Sequence, residues 1–511
     1  MAAARRQVAD RENLPGVNAL LDALSRTLAA ASEQRRAEGT QLQSLSADEQ
    51  NDLAENATIS QGQLQDTLGV YLSAIGITHG NDFDMLIRPL RRMVKAVVPD
   101  SEVVFQPSED YYYRASLDLI QVLEAWAINN GLEDVHDDLR SLPRVIVIEY
   151  PAISESDVLQ HAHIGHELSH LILNQPDPDA PDKVRSDALF ERHLLSVEDD
   201  LKRTRRAHLK NAPQKARDAY AYDRERFGKW LLEFSVDALA LHLVGPWFFF
   251  ALTEFAHVDG NWHTHPELRQ QATHPHLAWR LAHLADATRV YFRVAAAEAE
   301  LDADERLDDE ERGGALGLVR EGLGLVKRIK RWLPTIPKAE IALERRLIDP
   351  AVAELHANAG TILKGARYSP EQFWIDLAPV AQKLKAGIPP AERIDSRRRR
   401  DVIEDVPWQP REDHVAWSRD TAWSSPLDWR SIVNGSYLHW LLREDPSPAI
   451  ANDWGSESPV FLPKEMREAS DSRRDINAAV RGSVELSELL LLAHERREDS
   501  LPLERPPHAL A

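Results

Sequence analysis

Two histidines separated by three residues constrain this chain more than any other feature. They are His166 and His170, in the run HAHIGHELSHLILN over 161–174, and with Glu167 they form the pattern H-E-x-x-H. Residues four apart lie on one face of a helix, so two imidazoles at that spacing can share one metal ion, and Glu167 leans toward the metal's open side. Composition alone would produce the pattern roughly 0.06 times in a chain of this make-up. Ile164, Leu168, Leu171, Ile172 and Leu173 supply the apolar positions that would bury such a helix. Ser156 is the expected N-cap and Pro176 the expected stop.

The 511 residues include no cysteine. Disulfides, thiol catalysis and cysteine zinc sites are therefore excluded, and any zinc has to be held by histidine and carboxylate. A cysteine-free chain suits a reducing, cytoplasmic setting. The net charge of −21 opposes non-specific nucleic-acid binding. The basic runs at 202–206 and 397–400 sit beside acidic segments and read as solvated helix faces. The opening residues MAAARRQVADREN contain no apolar stretch of the kind a signal peptide needs. The most apolar window, 238–256, is interrupted by His242, Gly245-Pro246 and Glu254, so a buried helix pair is expected there rather than a membrane span.

A chain this long divides into several domains or subdomains. Residues 1–60 read as an exposed helix over 17–31 followed by a polar connector through Asn56. Helical spacing resumes over 62–98, and a further helix is expected near 113–129. Val145-Ile146-Val147-Ile148, between Pro143 and Pro151, is the clearest strand. A strand leading into the motif helix is the order used by zinc peptidases, in which a sheet edge beside the site can receive an extended peptide. A charged helical excursion is expected at 177–227. It is followed at 229–243 by an apolar helix carrying Glu233 and Asp237, four apart. Two carboxylates on such a helix are costly to bury without a counter-charge, which a metal with its histidines would provide; the alternative is an acidic stripe facing solvent.

At 273–281, THPHLAWRL, a capped helix start carries His274 and Arg280, with His257, His263, His265 and His276 nearby. Residues 301–395 read as helical, and their glycines lack phosphate-loop spacing. Residues 396–511 gather Trp408, Trp417, Trp423, Trp429, Trp440 and Trp454, expected to staple a small core. An amphipathic helix is expected at 475–497.

H-E-x-x-H, then E-x-x-x-D at Glu233 and Asp237, then T-H-P at 273–275 with Arg280 six residues after the histidine, resembles the gluzincin metallopeptidases. The pattern is closest to the CAAX prenyl endopeptidase and HtpX-type family. The resemblance covers about residues 145–285, with Val236 where the family has alanine and without its transmembrane hairpins.

It implies an α+β, predominantly helical chain with a zincin-like metallopeptidase domain over 61–300. It further implies Zn2+ held by His166, His170 and Glu233, with Glu167 as general base. His274 or Arg280 would stabilise the oxyanion, and Asp237 would orient a ligand imidazole from behind. His163, one turn before His166, would line the site or simply pack. His242 lies nine residues beyond Glu233, about 180° around the helix, and should face away. The function so implied is a soluble zinc metallopeptidase acting on a peptide or protein substrate, with neither nucleic acid nor membrane as partner. Its C-terminal region would be free to bind a regulatory protein. The alternative is a non-catalytic zincin-like or helical interaction protein with a structural zinc. Glu167 separates the two, because a structural site has no use for a base.

Overall fold

Four β-branched residues in succession suit a strand covered on both faces, and in the computed structural model of this chain Val145, Ile146, Val147 and Ile148 are all buried. The structure describes residues 15–41, 44–77, 84–99, 101–108, 113–115, 119–142, 144–151, 158–208, 213–259, 274–301, 307, 309–333, 342–385, 390, 392–394, 424–444 and scattered positions between 477 and 487. The chain divides into two compact units at Ser156/Asp157. The boundary falls inside the expected 61–300 domain, so the strand at 144–151 and the motif helix belong to different units.

The first unit contains α1 (Pro15–Gln41), α2 (Ala47–Ile77), α3 (Asp84–Val97), β1 (Ser101–Ser108), β2 (Arg114–Ala115), α4 (Leu119–Asn129), α5 (Glu133–Arg140) and β3 (Arg144–Pro151). β3 is the central strand. It pairs in parallel with β1, Ser101 opposite Arg144, and antiparallel with β2, Arg114 opposite Glu149. Val145 and Val147 pack with Leu21, Leu24, Leu64, Leu123 and Trp126 in one apolar cluster.

Three expectations need correction here. The first helix is not an exposed one, because Leu21 and Leu24 sit in that cluster. The polar connector through Asn56 is helical from Ala47, started by a capping box in which the Ser46 amide and hydroxyl both donate to Glu49 at 2.9 and 2.6 Å. The helix expected at 113–129 begins only at Leu119, since Arg114 and Ala115 are drawn into the sheet.

The second unit is helical around one long element. A 3₁₀ turn at Val158–Ala162 leads into α6 (His163–Leu173), the motif helix. The helix ends at Asn174, short of Pro176, while Ser156 lies outside the described residues. The charged excursion forms α7 (Arg185–Leu194) and α8 (Glu198–His208). There follow α9 (Pro213–Val244), α10 (Trp247–Asp259), α11 (Leu277–Leu301), α12 (Asp309–Trp332), α13 (Ala342–Leu363), α14 (Pro370–Lys385) and α15 (Trp429–Glu444), with a two-stranded pair, β4 (Glu392–Ile394) and β5 (Ser424–Pro426). α9 is the hub, packing on α6, α11 and α13.

The apolar window at 238–256 is the expected buried helix pair. Its break is Gly245, whose φ of +86° suits glycine. A Cβ there would lie 2.8 Å from the Tyr368 ring. Asn434 of α15 spans the break: its side-chain oxygen accepts from the Trp247 amide at 2.8 Å, and its nitrogen donates to the Val244 carbonyl at 2.7 Å. Among the described residues no helix is long and apolar enough to cross a membrane. Trp429 is buried edge-on to Trp247, and Trp440 stacks on Tyr437. Trp408, Trp417, Trp423 and Trp454 lie outside the described residues, as does most of the helix expected at 475–497.

Candidate metal centre

The motif helix presents its two histidines to α9 because of a glycine. At Gly165 an added Cβ would sit 3.0 Å from both γ-carbons of Val244, so the missing side chain lets α6 approach the end of α9 closely. His166 and His170 then lie side by side on the α9-facing surface, their ring centroids 4.9 Å apart and their planes nearly perpendicular. Glu233, one turn before Asp237 on α9, completes the group. Its carboxylate oxygens lie 3.7 Å from His166 Nε2 and 3.9 Å from His170 Nε2. One ligand atom from each of the three falls within 4.8 Å of the other two, so the group could hold a metal ion.

Asp237 fixes the orientation of His166. Its Oδ1 lies 3.0 Å from His166 Nδ1, which places the imidazole proton on Nδ1 and leaves the Nε2 lone pair directed toward Glu233. The opposite side of this arrangement is closed by Phe248 of α10, stacked on the His166 ring at 6.1 Å. Arg280, on the first turns of α11, balances the two buried carboxylates. It donates to Asp237 through Nε at 2.8 Å and Nη2 at 2.7 Å, and its Nη1 lies 2.9 Å from Glu233 Oε2.

The electrostatics follow from those contacts. Burial is the largest influence on both carboxylates and would raise them, but Arg280 together with the histidines more than offsets it, so Glu233 stays below the usual range and Asp237 well below it. Burial would lower His166, yet the hydrogen bond and charge of Asp237 reverse the sign and hold it above an ordinary histidine. His170 lacks such a partner and is pushed down to about 4, by burial first and then by the neighbouring His166. Burial would lower Arg280 as well, but Asp237 and Glu233 hold it above the ordinary guanidinium range, and Glu167 adds to that from the motif helix.

The structure brings together most of the residues singled out in the sequence. His166, His170 and Glu233 form the cluster, Asp237 and Arg280 lie behind it, and His274 stands at its open side with Nε2 3.6 Å from Glu233 Oε1. The His274 side chain is 67% exposed, whereas Arg280 is 11% exposed and engaged with both carboxylates. His163 is a wall residue. It is buried edge-on against Phe248 and Phe255, bonded to the backbone of Ala251, and lowered to about 3 by burial above all. His242 points away from the cluster to His356, Nε2 to Nδ1 2.9 Å. The side chains of His257, His263 and His265 lie outside the described residues.

No protein-family model, no curated protein and no solved structure matches this chain.

Three contributors were not singled out in the sequence: Phe248, Gly165 and Asn434. Gly165 carried a signal, since an isolated glycine within a helical pattern marks a close approach. Phe248 sits in a run of three phenylalanines that gives no hint which one meets His166. Asn434 lies 187 positions from the amide it caps, a distance that sequence spacing does not bridge.

Proposed function

We propose that this chain is a zinc-dependent metallopeptidase of the gluzincin type. The observation that carries the proposal is the convergence of two imidazoles and one carboxylate from α6 and α9, with Asp237 behind His166. Two imidazoles and one carboxylate are the ligand set of a catalytic zinc site. The Asp237 carboxylate at His166 Nδ1 leaves Nε2 as the ring atom a metal would take, and burial keeps His170 uncharged.

When bound, zinc would lower the pKa of a coordinated water and polarise the scissile carbonyl. The residues of the chain supply the rest. Glu167, on the helical turn that carries the ligands, accepts a proton from the attacking water at its carboxylate and returns it to the leaving nitrogen as the C–N bond breaks. Glu233 would hold the metal together with the two histidines, while Arg280, 2.9 Å from its Oε2, keeps the carboxylate from turning away. That duty, together with the double bond to Asp237, makes Arg280 a positioning residue. The exposed His274 is the better donor to the developing oxyanion.

A metal-free alternative has one observation in its favour: Arg280 already neutralises much of the carboxylate charge, so the cluster can persist as an ion-pair network. Glu167→Gln decides between them. The amide keeps the shape but cannot accept the proton, so the variant should bind zinc with wild-type affinity and lose hydrolysis of a peptide library. Wild-type activity in Glu167→Gln would overturn the mechanism, and absence of activity in both forms would favour a structural role.

A further inference from the structure

The first unit holds a cleft of about 920 Å³ between α1, α2 and the C-terminal end of α4. Hydrogen bonds between the three helices pin its floor. Trp126 Nε1 donates to the carbonyl and the hydroxyl of Ser60, both at 3.1 Å, and the Ser60 hydroxyl donates to Asn130 Oδ1 at 2.7 Å. Gln34 Nε2 donates to the Asn130 carbonyl at 3.3 Å. The cleft is therefore preformed, and its volume is that of a ligand site. Leu28 and Ala31 line it from α1, and Leu53 and Ile59 from α2. Ile59 is 54% exposed there, so a large apolar group already stands open to whatever enters.

The polar part of the lining selects the occupant. Five carboxamides contribute to it, Gln34 and Asn130 in the floor and the exposed Asn56, Gln61 and Asn129. A carboxamide carries an acceptor and donors side by side, so it can bond both the N–H and the C=O of a peptide chain. The charged groups of the lining are one ion pair, Arg35 Nη1 to Glu38 Oε2 at 3.0 Å, which leaves no net charge to attract a phosphate or a charged side chain. The one aromatic ring of the lining, Trp126, is 7% exposed with its N–H taken by Ser60, so it offers no open face for a nucleobase or sugar ring to stack on.

We propose that this cleft binds an extended, uncharged peptide segment of another protein. From Leu28 to Glu38 the α1 wall is about 15 Å long at the helical rise of about 1.5 Å per residue. An extended segment of about four or five residues spans that length at about 3.3 Å each. Successive side chains of such a segment point to opposite sides, toward Leu28 and Ala31 on α1 and toward Leu53 and Ile59 on α2. Its N–H and C=O groups, at right angles to them, meet the carboxamides. The segment is thus recognised by its backbone and by adjacent apolar side chains, not by charge. The cleft lies wholly within the first unit, and the inference does not depend on the metal centre.

The test is a titration of the full chain with the capped peptide acetyl-Ser-Leu-Leu-Ala-Ser-amide, followed by saturation-transfer NMR at up to millimolar peptide. A chelator keeps the chain free of zinc, so that no peptide is cut. The peptide should bind. Ile59→Asp should weaken it about tenfold or more, by loss of the apolar contact. Gln61→Glu, which keeps the shape of the amide but loses its donors, should weaken it about 2–10-fold. Ile128→Asp is the control, because Ile128 is 56% exposed on α4 but outside the cleft, and it should leave binding unchanged. N-methylation of both leucine amides removes backbone donors and should also weaken binding about tenfold. Circular dichroism checks that each variant keeps its helix content. Four results would overturn the proposal: no binding at millimolar peptide, undiminished affinity in Ile59→Asp, equal affinity for the N-methylated peptide, or tighter binding of maltopentaose than of the peptide.

Discussion

Replacing Asp237 by alanine tests the internal logic of the metal centre most fully. The carboxylate accepts two bonds from Arg280, at 2.8 and 2.7 Å, and a third contact from His166 Nδ1 at 3.0 Å. Its loss leaves the buried Arg280 guanidinium with two donors that have lost their acceptor beside Glu233, and removes the acceptor that orients His166. Breaking one side of a buried ion pair costs about 3–5 kcal/mol, because the remaining charge stays desolvated. Losing the acceptor behind a ligand histidine costs about 10–100-fold in metal affinity.

The two effects are separable. Urea unfolding of the metal-free proteins measures the first effect and competition against a zinc chelator the second. If Asp237→Ala costs under about 1 kcal/mol, Asp237 and Arg280 do not act as a buried ion pair. Full zinc affinity in Asp237→Ala would refute the orienting role.

Two further outcomes follow from the packing around the site. Gly165→Ala places a methyl 3.0 Å from two carbons of Val244, whose carbonyl is capped by Asn434, so it should lower stability by about 1–3 kcal/mol and weaken metal binding. Thermal melts should show recovery on adding Val244→Ala. The buried pair His242 and His356 lies at about 3 and about 4, each lowered by burial first, then by His356 and by His283 respectively. The unfolded chain takes up these protons near pH 6.5, so the pair leaves stability intact above that pH and erodes it as pH falls toward about 4. The slope is at most roughly 1.4 kcal/mol per pH unit per histidine. Urea midpoints measured from pH 7.5 to 5 should fall less steeply in His242→Asn/His356→Asn than in wild type.

Much of this arrangement was legible in the sequence for local reasons. The four-residue spacing of His166 and His170, and of Glu233 and Asp237, follows from helical periodicity alone, and so does the placing of His242 on the far side of α9. The β-branched run at 145–148 and the Gly245-Pro246 break were equally local signals. The misread elements share a different cause. Residues 47–56 are polar, and their helix is announced only by the Ser46–Glu49 capping box, a pattern four residues long. Leu21 and Leu24 are buried by partners as distant as Trp126 and Val145, and Arg114 is taken into a sheet by Glu149. Tertiary contacts of that kind override local preference. The roles of Arg280 and His274 leave no mark in the sequence, because both lie on one short segment and differ in which way each side chain turns.

The central claim is that His166, His170 and Glu233 hold a zinc ion. Elemental analysis of the purified chain, after equilibration with one equivalent of zinc and removal of free metal, should find about one zinc per chain, held at one site of three protein ligands. Glu233→Ala should lose most of it, and Glu167→Gln should retain it. A chain that takes up no stoichiometric zinc, or a Glu233→Ala variant that binds as tightly as the wild type, would contradict it.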